Sequence, residues 1–401
     1  MGRSHARTCV CGTLRSVREA SEGRSRPGHS PSPATPAIAA MSPTARAVLA
    51  IIALCLLSAA LTKHVVTRRC GLTYRLACML PLIALDVTLP AVLFDPATSL
   101  LPTAIASALL SFWKTLKLVG VVLHRGTVVE ASERGWSVPA IAALLLLPVN
   151  LEFEKPRARA PRAASSIAEC TWRLVVKLVL LSVVVHALTA FTLLEFIAHV
   201  GQAFGLYLFL GALMDGLAGV CLLLEGGAVR LQPHFDAPYL STSVADFWAL
   251  RWNLFAAGLL RTVVFDPIVA LSSGSRPAAE NKPSARARPS AARRVLATLA
   301  TFGVSGAAHE LVFFHLTGAP TYRLGWYCFF QLNGVLVILE RVLWLRSDLF
   351  NGAPAAARIL FTLGLEMAIA EWLFFPPVSR VGLDARVIED IKVSFDTVFA
   401  M

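Results

Sequence analysis

The sequence predicts an all-α, polytopic integral membrane protein, and the observations that predict it are its composition and its long apolar segments. Of the 401 residues, 56% are hydrophobic and 15% are charged, and the mean hydropathy is +0.64. A soluble domain carries about 25% charged residues, so a chain with so few charges cannot cover a surface that faces water. The same figures exclude intrinsic disorder, because a disordered chain needs low hydrophobicity.

The apolar segments predict eight or nine transmembrane helices, since one bilayer span needs about 20 mostly apolar residues. In chain order the candidate segments are residues 47–66, 76–94, 101–123, 136–151, 174–194, 203–224, 295–316, 324–345 and 357–375. The segment 136–151 is the shortest of them. Residues 47–224 are therefore expected to form an N-terminal group of transmembrane helices.

The net charge of +12 is concentrated outside the apolar segments. Residues 1–46 carry seven Arg and two Glu, residues 152–173 carry five basic residues and three Glu, and residues 272–294 carry six basic residues and one Glu. Basic residues confined to the ends and loops of an apolar chain indicate membrane topology, so no nucleic-acid partner is expected. Placing both loops in the cytosol puts a further basic segment, residues 63–75, on the lumenal side, where the same rule disfavours it.

Residues 1–46 are rich in Arg, Ser, Pro and Ala and contain no apolar core. We expect a disordered basic tail, or an extension that precedes a start at Met41. A transit peptide is the alternative, because such segments are rich in Arg and Ser and poor in acidic residues.

Residues 226–267 are too polar for a simple span but contain several aromatic side chains. Ser243 followed three residues later by Asp246 is a capping-box pattern, which predicts a helix that begins near Val244. Aromatic and polar residues alternate beyond that point, so we expect an interfacial or re-entrant helix. Irregular backbone at membrane depth is tolerated where it is buried in protein or lines a cavity, which makes this segment the first indication of a site.

His309 and Glu310 lie in the middle of a predicted span. An ionisable side chain at that depth costs about 2.5–3.5 kcal/mol on insertion scales and usually faces a functional interior. On helical spacing Ser305 and Gly306 share a face with His309, and these small residues are expected to leave room beside the imidazole. Glu310 points about 100° away and is expected to bond to a neighbouring helix. The alternative for His309 is a hydrogen bond that packs two helices together.

Other polar residues in the apolar segments have structural explanations as well. Asn253 lies among aromatic residues, where an amide often joins helices. Asp86 and Asp215 are single carboxylates inside spans, and we expect each to pair with a Lys or Arg, with Lys114 and Lys117 as candidates for Asp86. The eight cysteines show no metal-ligand spacing, so neither a metal site nor a disulfide framework is predicted.

Three blocks of sequence carry a resemblance to a known family. They are PHFDAPYLSTSVADFWALRWN at 233–253, RTVVFDPI at 261–268 and FGVSGAAHELVFF at 302–314. They resemble the plant wax synthase family, a branch of the membrane-bound O-acyltransferases whose members join a fatty acyl-CoA to a long-chain alcohol or a sterol. The likeness extends more loosely from about residue 47 to the C-terminus, and it implies a wax synthase-like catalytic region over residues 225–401.

The resemblance implies roles for individual residues. His309 matches the catalytic His of the family, and Asn253 matches its partner. The substrate-binding residues expected beside them are Asp246, Trp248, Arg251, Trp252, Arg261, Ser305 and Gly306, with Arg251 and Arg261 as candidate contacts for phosphates. The sequence departs from the plant members at 249–250, where Ala–Leu stands in place of the usual Gly–Arg, and at 306–308.

The chemistry expected from these residues is ester formation. A neutral imidazole accepts a hydroxyl proton near neutral pH, and an amide donates a hydrogen bond to a carbonyl oxygen as charge develops on it. We therefore expect transfer of a fatty acyl group from acyl-CoA to a long-chain alcohol in the endoplasmic reticulum membrane, with no metal and no cofactor besides acyl-CoA as co-substrate. The alternative acceptor is a sterol, and a remote alternative is a proton-coupled transporter that uses Asp86, Asp215 and His309 as a relay.

Overall fold

The structure is a computed structural model that describes residues 42–151, 166–224, 231–271, 290–344 and 352–399. The chain divides into two units, Met1–Arg46 and Ala47–Met401. Most of the predicted tail and most of the basic loops at 152–173 and 272–294 lie outside the described residues, and the first described helix begins within the predicted tail, at Pro43.

The described residues are almost entirely helical. The helices are α1 Pro43–Thr67, α2 Leu72–Leu93, α3 Leu100–Val122, α4 Thr127–Glu133, α5 Val138–Leu146, α6 Ile167–Ala190, α7 Glu195–Leu224, α8 Val244–Arg251, α9 Leu254–Ala270, α10 Ala291–Thr317, α11 Gly325–Leu339, α12 Ala355–Leu373, α13 Phe375–Arg380 and α14 Leu383–Phe399. The strands β1 Asn150–Leu151 and β2 Leu231–Gln232 form one short antiparallel pair. The described residues include four π-helical stretches: Ser107–Lys114 within α3, Phe247–Arg251 within α8, Arg261–Phe265 within α9 and Glu340–Trp344 after α11.

Seven helices of the described chain are long and apolar enough to cross a membrane: α1, α2, α3, α6, α7, α10, and α12 together with α13. The pair α8 and α9, which bends by 91°, brings the number to eight if it counts as one broken span. This confirms the predicted all-α membrane protein, and the bent pair lies where the re-entrant helix was expected.

The segment 136–151 differs from the predicted span. Its helix α5 has nine residues, which at 1.5 Å per residue is about half of a bilayer core. The helix ends because Pro148 disfavours the helical region for the residue before it, and Leu147 is extended at φ −78° and ψ 136°. The chain then enters β1 instead of continuing across.

Because α5 is too short to cross the membrane, the basic segment 63–75 no longer has to lie on the lumenal side, where the charge rule disfavours it. With α5 too short to cross, α2 and α3 are the two described helices long enough to span the membrane between this segment and α6. The ammonium of Lys63 donates to the Trp136 carbonyl at 2.8 Å, and one buried cluster joins Val66, Val129 and Cys170. The basic segment 63–75 therefore lies on the same side as the start of α6.

Asp86 and Asp215, the two aspartates that the sequence places inside spans, are paired with basic residues as predicted. Lys114 Nζ donates to both oxygens of Asp86 at 2.6 and 2.8 Å, and both side chains are fully buried between α2 and α3. Asp215 on α7 pairs with Lys177 and Arg173 on α6. These pairs fix adjacent helices against one another.

Candidate active site

The imidazole of His309 lies near the middle of α10 with its two nitrogens in different environments. Nδ1 lies 2.7 Å from the carbonyl oxygen of Ser305, one turn earlier. Because a carbonyl only accepts, Nδ1 carries the hydrogen in this bond, and Nε2 of the neutral ring holds a lone pair. No group in the described chain bonds to Nε2. The ring is half-buried, so this nitrogen is placed to accept a proton.

Aromatic side chains surround the imidazole. The ring centroid of Phe330 on α11 lies 4.2 Å from that of His309. Phe112 on α3 approaches edge-on at 5.5 Å, and Trp326 lies 6.4 Å away. Such a lining is apolar apart from the imidazole itself, which suits an alkyl chain rather than an ion.

Asn253 lies at the break between α8 and α9. Its backbone adopts the left-handed conformation, φ 40° and ψ 64°, which Asn tolerates better than most residues. Its Oδ1 accepts from the Ala256 N–H at 3.2 Å and so caps α9. Because the cap uses the oxygen, the Nδ2 group remains as a donor, and within the described ranges nothing accepts from it. The half-buried side chain therefore offers N–H groups and no proton acceptor.

Trp248 links the break between α8 and α9 (residues 251–256, the Asn253 segment) to the aromatic rings around His309. Its indole lies 5.6 Å from Phe330, the ring that stacks against the imidazole. The indole N–H donates to Glu366 Oε1 on α12 at 3.1 Å. Glu366 is buried and lies outside the three resembling blocks, so sequence reasoning missed it.

Trp113 makes a second connection, and sequence reasoning missed it as well. Its ring packs edge-on against Phe255 at 5.8 Å and lies 6.4 Å from Phe112, which contacts His309. The indole Nε1 is buried and has no hydrogen-bond partner among the residues that the structure describes. Trp113 sits in the π-helical stretch of α3, a feature often found at functional sites. In the sequence it is one apolar residue among many.

Asp246 and Arg251 bond mainly to each other and to their own loop. Arg251 Nε lies 2.9 Å from Asp246 Oδ2, and its Nη1 donates to the Asp236 carbonyl at 3.1 Å. The same carboxylate oxygen accepts from the Thr242 N–H at 3.0 Å. Their substrate-binding role stays a prediction, and the structure gives both residues a part in holding the Asn253 segment.

Trp252 and Arg261 differ in their surroundings. Trp252 stacks on Phe247 at 5.4 Å and packs edge-on against Phe235 at 5.2 Å. The side chain of Arg261 is 72% exposed and lies 3.5 Å from Asp266. Its guanidinium also lies 6.0 Å from the centroid of the Phe265 ring, and most of its surface remains accessible to an anionic group.

Gly306 contacts a neighbouring helix, whereas the sequence placed open space at this position. A Cβ atom there would lie 3.0 Å from the Cα of Tyr327, so the small residue permits α10 and α11 to approach closely. Ser305 is buried, and its carbonyl orients the imidazole. Helical spacing showed that Ser305, Gly306 and His309 share a face of α10, but it did not show that α11 covers that face at Gly306.

Glu310 bonds to a neighbouring element, as predicted. Its carboxylate accepts from the backbone N–H of Thr321 at 2.8 Å and of Tyr327 at 3.0 Å. The bond from Tyr327 satisfies a free N–H group in the first turn of α11, and the bond from Thr321 holds the turn that precedes this helix. Glu310 therefore fixes α11, and with it Phe330, relative to His309.

No group of three or more His, Cys, Asp or Glu side chains is placed to hold a metal ion in the described parts of the chain.

Comparisons with known proteins match the segment that contains these residues. Residues 231–332, which include Asn253 and His309, match the model of the membrane bound O-acyl transferase family. Acyl-CoA–sterol O-acyltransferase 1 of Arabidopsis thaliana is 27% identical over 291 residues, covering 71% of this chain and 78% of that protein. Probable long-chain-alcohol O-fatty-acyltransferase 7 of the same plant is 34% identical over 193 residues, covering 47% of this chain and 52% of that protein.

A third relative, probable long-chain-alcohol O-fatty-acyltransferase 2 of Arabidopsis thaliana, is 33% identical over 245 residues, covering 57% of this chain and 62% of that protein. The chain thus matches between half and two thirds of the length of these two alcohol acyltransferases. The family-model match includes the blocks at 233–253, 261–268 and 302–314. The chain is thus similar to membrane-bound O-acyltransferases over residues 231–332, and the two alcohol acyltransferase relatives support a wax synthase-like member of that family.

Proposed function

We propose that this protein transfers a fatty acyl group from acyl-CoA to the hydroxyl of a long-chain alcohol and so makes a wax ester. The observation that carries the proposal is the hydrogen bond from His309 Nδ1 to the Ser305 carbonyl, which leaves Nε2 as a proton acceptor among aromatic rings. The match of residues 231–332 to the family model and the names of the alcohol acyltransferase relatives support it. Residues 225–401 form the catalytic region.

His309 acts as the general base in the proposed reaction. Nε2 takes the proton of the alcohol hydroxyl while the alcohol oxygen attacks the carbonyl carbon of the thioester. The new C–O bond forms as the carbonyl oxygen becomes an oxyanion. A positioned base of this kind contributes about 10²–10⁴-fold to the rate.

Asn253 donates to that oxyanion through Nδ2. The tetrahedral intermediate then collapses, the C–S bond breaks, and the CoA thiolate takes the proton from His309 Nε2. The products are the ester and free CoA thiol, and no acyl-enzyme forms. Removing one such donor typically costs about 10²–10³-fold in kcat.

The substrates explain a site within the membrane. At about 0.8 kcal/mol per CH₂, a sixteen-carbon chain disfavours water by roughly 13 kcal/mol, so both chains reside in the bilayer. The CoA head group is anionic and stays in water. Arg261, exposed on α9, together with the basic segment 272–294, is the candidate contact for its phosphates.

A sterol is the second candidate acceptor. The observation that favours it is the match to Acyl-CoA–sterol O-acyltransferase 1, which covers 78% of that protein. The same base and the same donor serve either hydroxyl, so the acceptor depends on the shape of the aromatic lining.

A proton-coupled transporter is disfavoured by the ion pairs. Asp86 bonds to Lys114 through both oxygens, and Asp215 bonds to Lys177 and Arg173. These ion pairs give both carboxylates a structural role, in which each fixes two adjacent helices against one another. We further propose the endoplasmic reticulum as the membrane, no nucleic-acid partner, and no metal or cofactor besides the co-substrate acyl-CoA.

The test is an assay of membranes from a host strain that lacks its own neutral-lipid acyltransferases. Membranes with this protein receive labelled acyl-CoA and either a long-chain alcohol or a sterol. Labelled wax ester is the expected product. Sterol ester alone would establish the second candidate, and no labelled ester from any hydroxyl acceptor would overturn the proposed activity.

A further inference from the structure

The backbone on both sides of Asn253 is bonded to the segment around His234. The N–H of Leu254 donates to the His234 carbonyl at 2.8 Å, and the N–H of Asp236 donates to the Arg251 carbonyl at 2.9 Å. These bonds flank Asn253, whose left-handed conformation would otherwise be unfavourable. The direction of the Asn253 side chain therefore depends on where His234 is held.

The side chain of His234 is itself anchored. Only 4% of the residue is exposed, and its Nε2 bonds to the Pro148 carbonyl. Because the partner is a carbonyl, Nε2 carries the hydrogen. The ring also lies 6.3 Å from that of Phe255, just after Asn253.

The Pro148 segment is fixed in turn by Lys117. This buried ammonium on α3 donates to the carbonyls of Leu144 and Leu147, both at 2.6 Å. These are free carbonyls at the C-terminal end of α5, where a cation is favoured. Lys117 Nζ also lies 5.0 Å from the centroid of the Phe255 ring. Lys117 therefore contacts both the end of α5 and a residue two positions after Asn253.

We infer that His234 is a positioning residue for Asn253: its side chain, bonded to Pro148, holds the backbone that aims the Asn253 amide. This inference rests on the proposed function, in which that amide stabilises the oxyanion. A catalytic group displaced by 1 Å can lose about 100-fold in rate. His234 itself touches no reacting atom.

Two polar substitutions separate this role from general packing. In His234→Gln the side-chain amide nitrogen occupies a position similar to Nε2 and still reaches Pro148, whereas in His234→Asn it is too short. We expect His234→Gln to keep kcat within about threefold of wild type and His234→Asn to lower it by about 10–100-fold with little change in KM. Equal kcat values for the two variants would overturn the inference. His186→Asn, an exposed His on α6, is the matched control.

The coupling to Asn253 is tested by a double-mutant cycle. In an Asn253→Ala background, where there is no amide left to aim, His234→Asn is expected to lower the remaining rate by less than about twofold. The same fold loss in both backgrounds would show that His234 acts independently of Asn253, which contradicts the inference.

Hydrogen–deuterium exchange provides a readout that needs no activity. The full-length protein in nanodiscs is expected to show faster amide exchange over residues 252–256 in His234→Asn than in His234→Gln, with α6 unchanged. Unchanged exchange over 252–256 would overturn the inference even if the wild type makes ester. Faster exchange in a protein that makes no ester would keep the inference that His234 holds this segment and defeat only the proposed function.

Discussion

The imidazole Nδ1 of His309 bonds to the backbone carbonyl of Ser305 at 2.7 Å, so a residue of the same helix sets the tautomer of the proposed base. A mutation could remove a side-chain acceptor, whereas this acceptor is a backbone carbonyl of α10 that remains whatever residue stands at position 305. Substitution of Ser305 by Ala keeps the carbonyl and is therefore expected to leave the rate of ester formation within about threefold of wild type. A loss as large as that of a His309 variant would show that the Ser305 hydroxyl takes part.

Asn253 combines a structural and a chemical role, and Asn253→Asp separates them. An aspartate at this position still caps α9 but offers no N–H donor. We expect normal thermal stability with kcat lowered by about 10²–10³-fold, measured as initial rates of labelled ester formation at saturating acyl-CoA. A change confined to KM would contradict the donor role and leave the cap as the function of this residue.

Gly306→Ala is expected to lower stability through helix packing. The new methyl group would lie 3.0 Å from the Tyr327 backbone, and overpacking of this kind costs about 1–3 kcal/mol. Gly364→Ala on α12 is the matched control, since a Cβ there meets nothing within 4 Å and alanine favours a helix. Thermal unfolding in detergent compares the two variants, and a Gly306→Ala variant as stable as Gly364→Ala would argue against the close contact.

The buried pair of Lys114 and Asp86 is expected to be costly to break on one side. Lys114→Met leaves an unpaired carboxylate inside the bundle and should lower the free energy of unfolding by about 3–5 kcal/mol. Adding Asp86→Asn should restore part of that loss. Lys392→Met is the control, because its partner Asp396 is 67% exposed and such pairs contribute about 0–1 kcal/mol. Additive effects of the two substitutions in α2 and α3 would contradict the pairing.

His234 gives the stability a defined dependence on pH. Burial lowers the pKa of His234 below its ordinary value of 6.5, opposed in part by the hydrogen bond to Pro148. The unfolded chain therefore binds a proton near pH 6.5 that the folded chain does not bind. The stabilisation is complete above pH 6.5 and decreases as the pH falls below it, by at most about 1.4 kcal/mol per pH unit.

The measurement for this prediction is thermal stability of wild type and His234→Gln between pH 8 and pH 5. The difference between the two proteins should shrink as the pH falls, because every other titrating group is common to both. Parallel curves over the whole range would contradict a depressed pKa at His234.

The sequence predicted much of this architecture because the membrane imposes a simple pattern. Apolar length located the long helices, and depth within a span indicated that Asp86 needs a basic partner, which is Lys114. Ser243 begins α8 as its capping pattern predicted, with its hydroxyl accepting from Asp246 at 3.0 Å. These features depend on residues that are close in sequence or on solvation by lipid.

Features that depend on distant neighbours were not predictable. The length of the apolar segment 136–151 predicted a transmembrane helix there, but Pro148 ends the helix after nine residues. Nothing near Gly306 in the sequence shows that Tyr327 covers it, and nothing near Trp248 points to Glu366 on α12. The part of His234 in holding Asn253 depends on Pro148, 86 residues earlier. Such contacts are set by tertiary packing.

The most direct test of the account is the rate of labelled ester formation by His309→Ala in membranes that contain as much folded protein as wild type. Removal of the base is expected to leave less than about 1% of the wild-type rate, while His186→Ala on α6 keeps full activity. More than about 5% of the wild-type rate in His309→Ala would contradict the proposed general base.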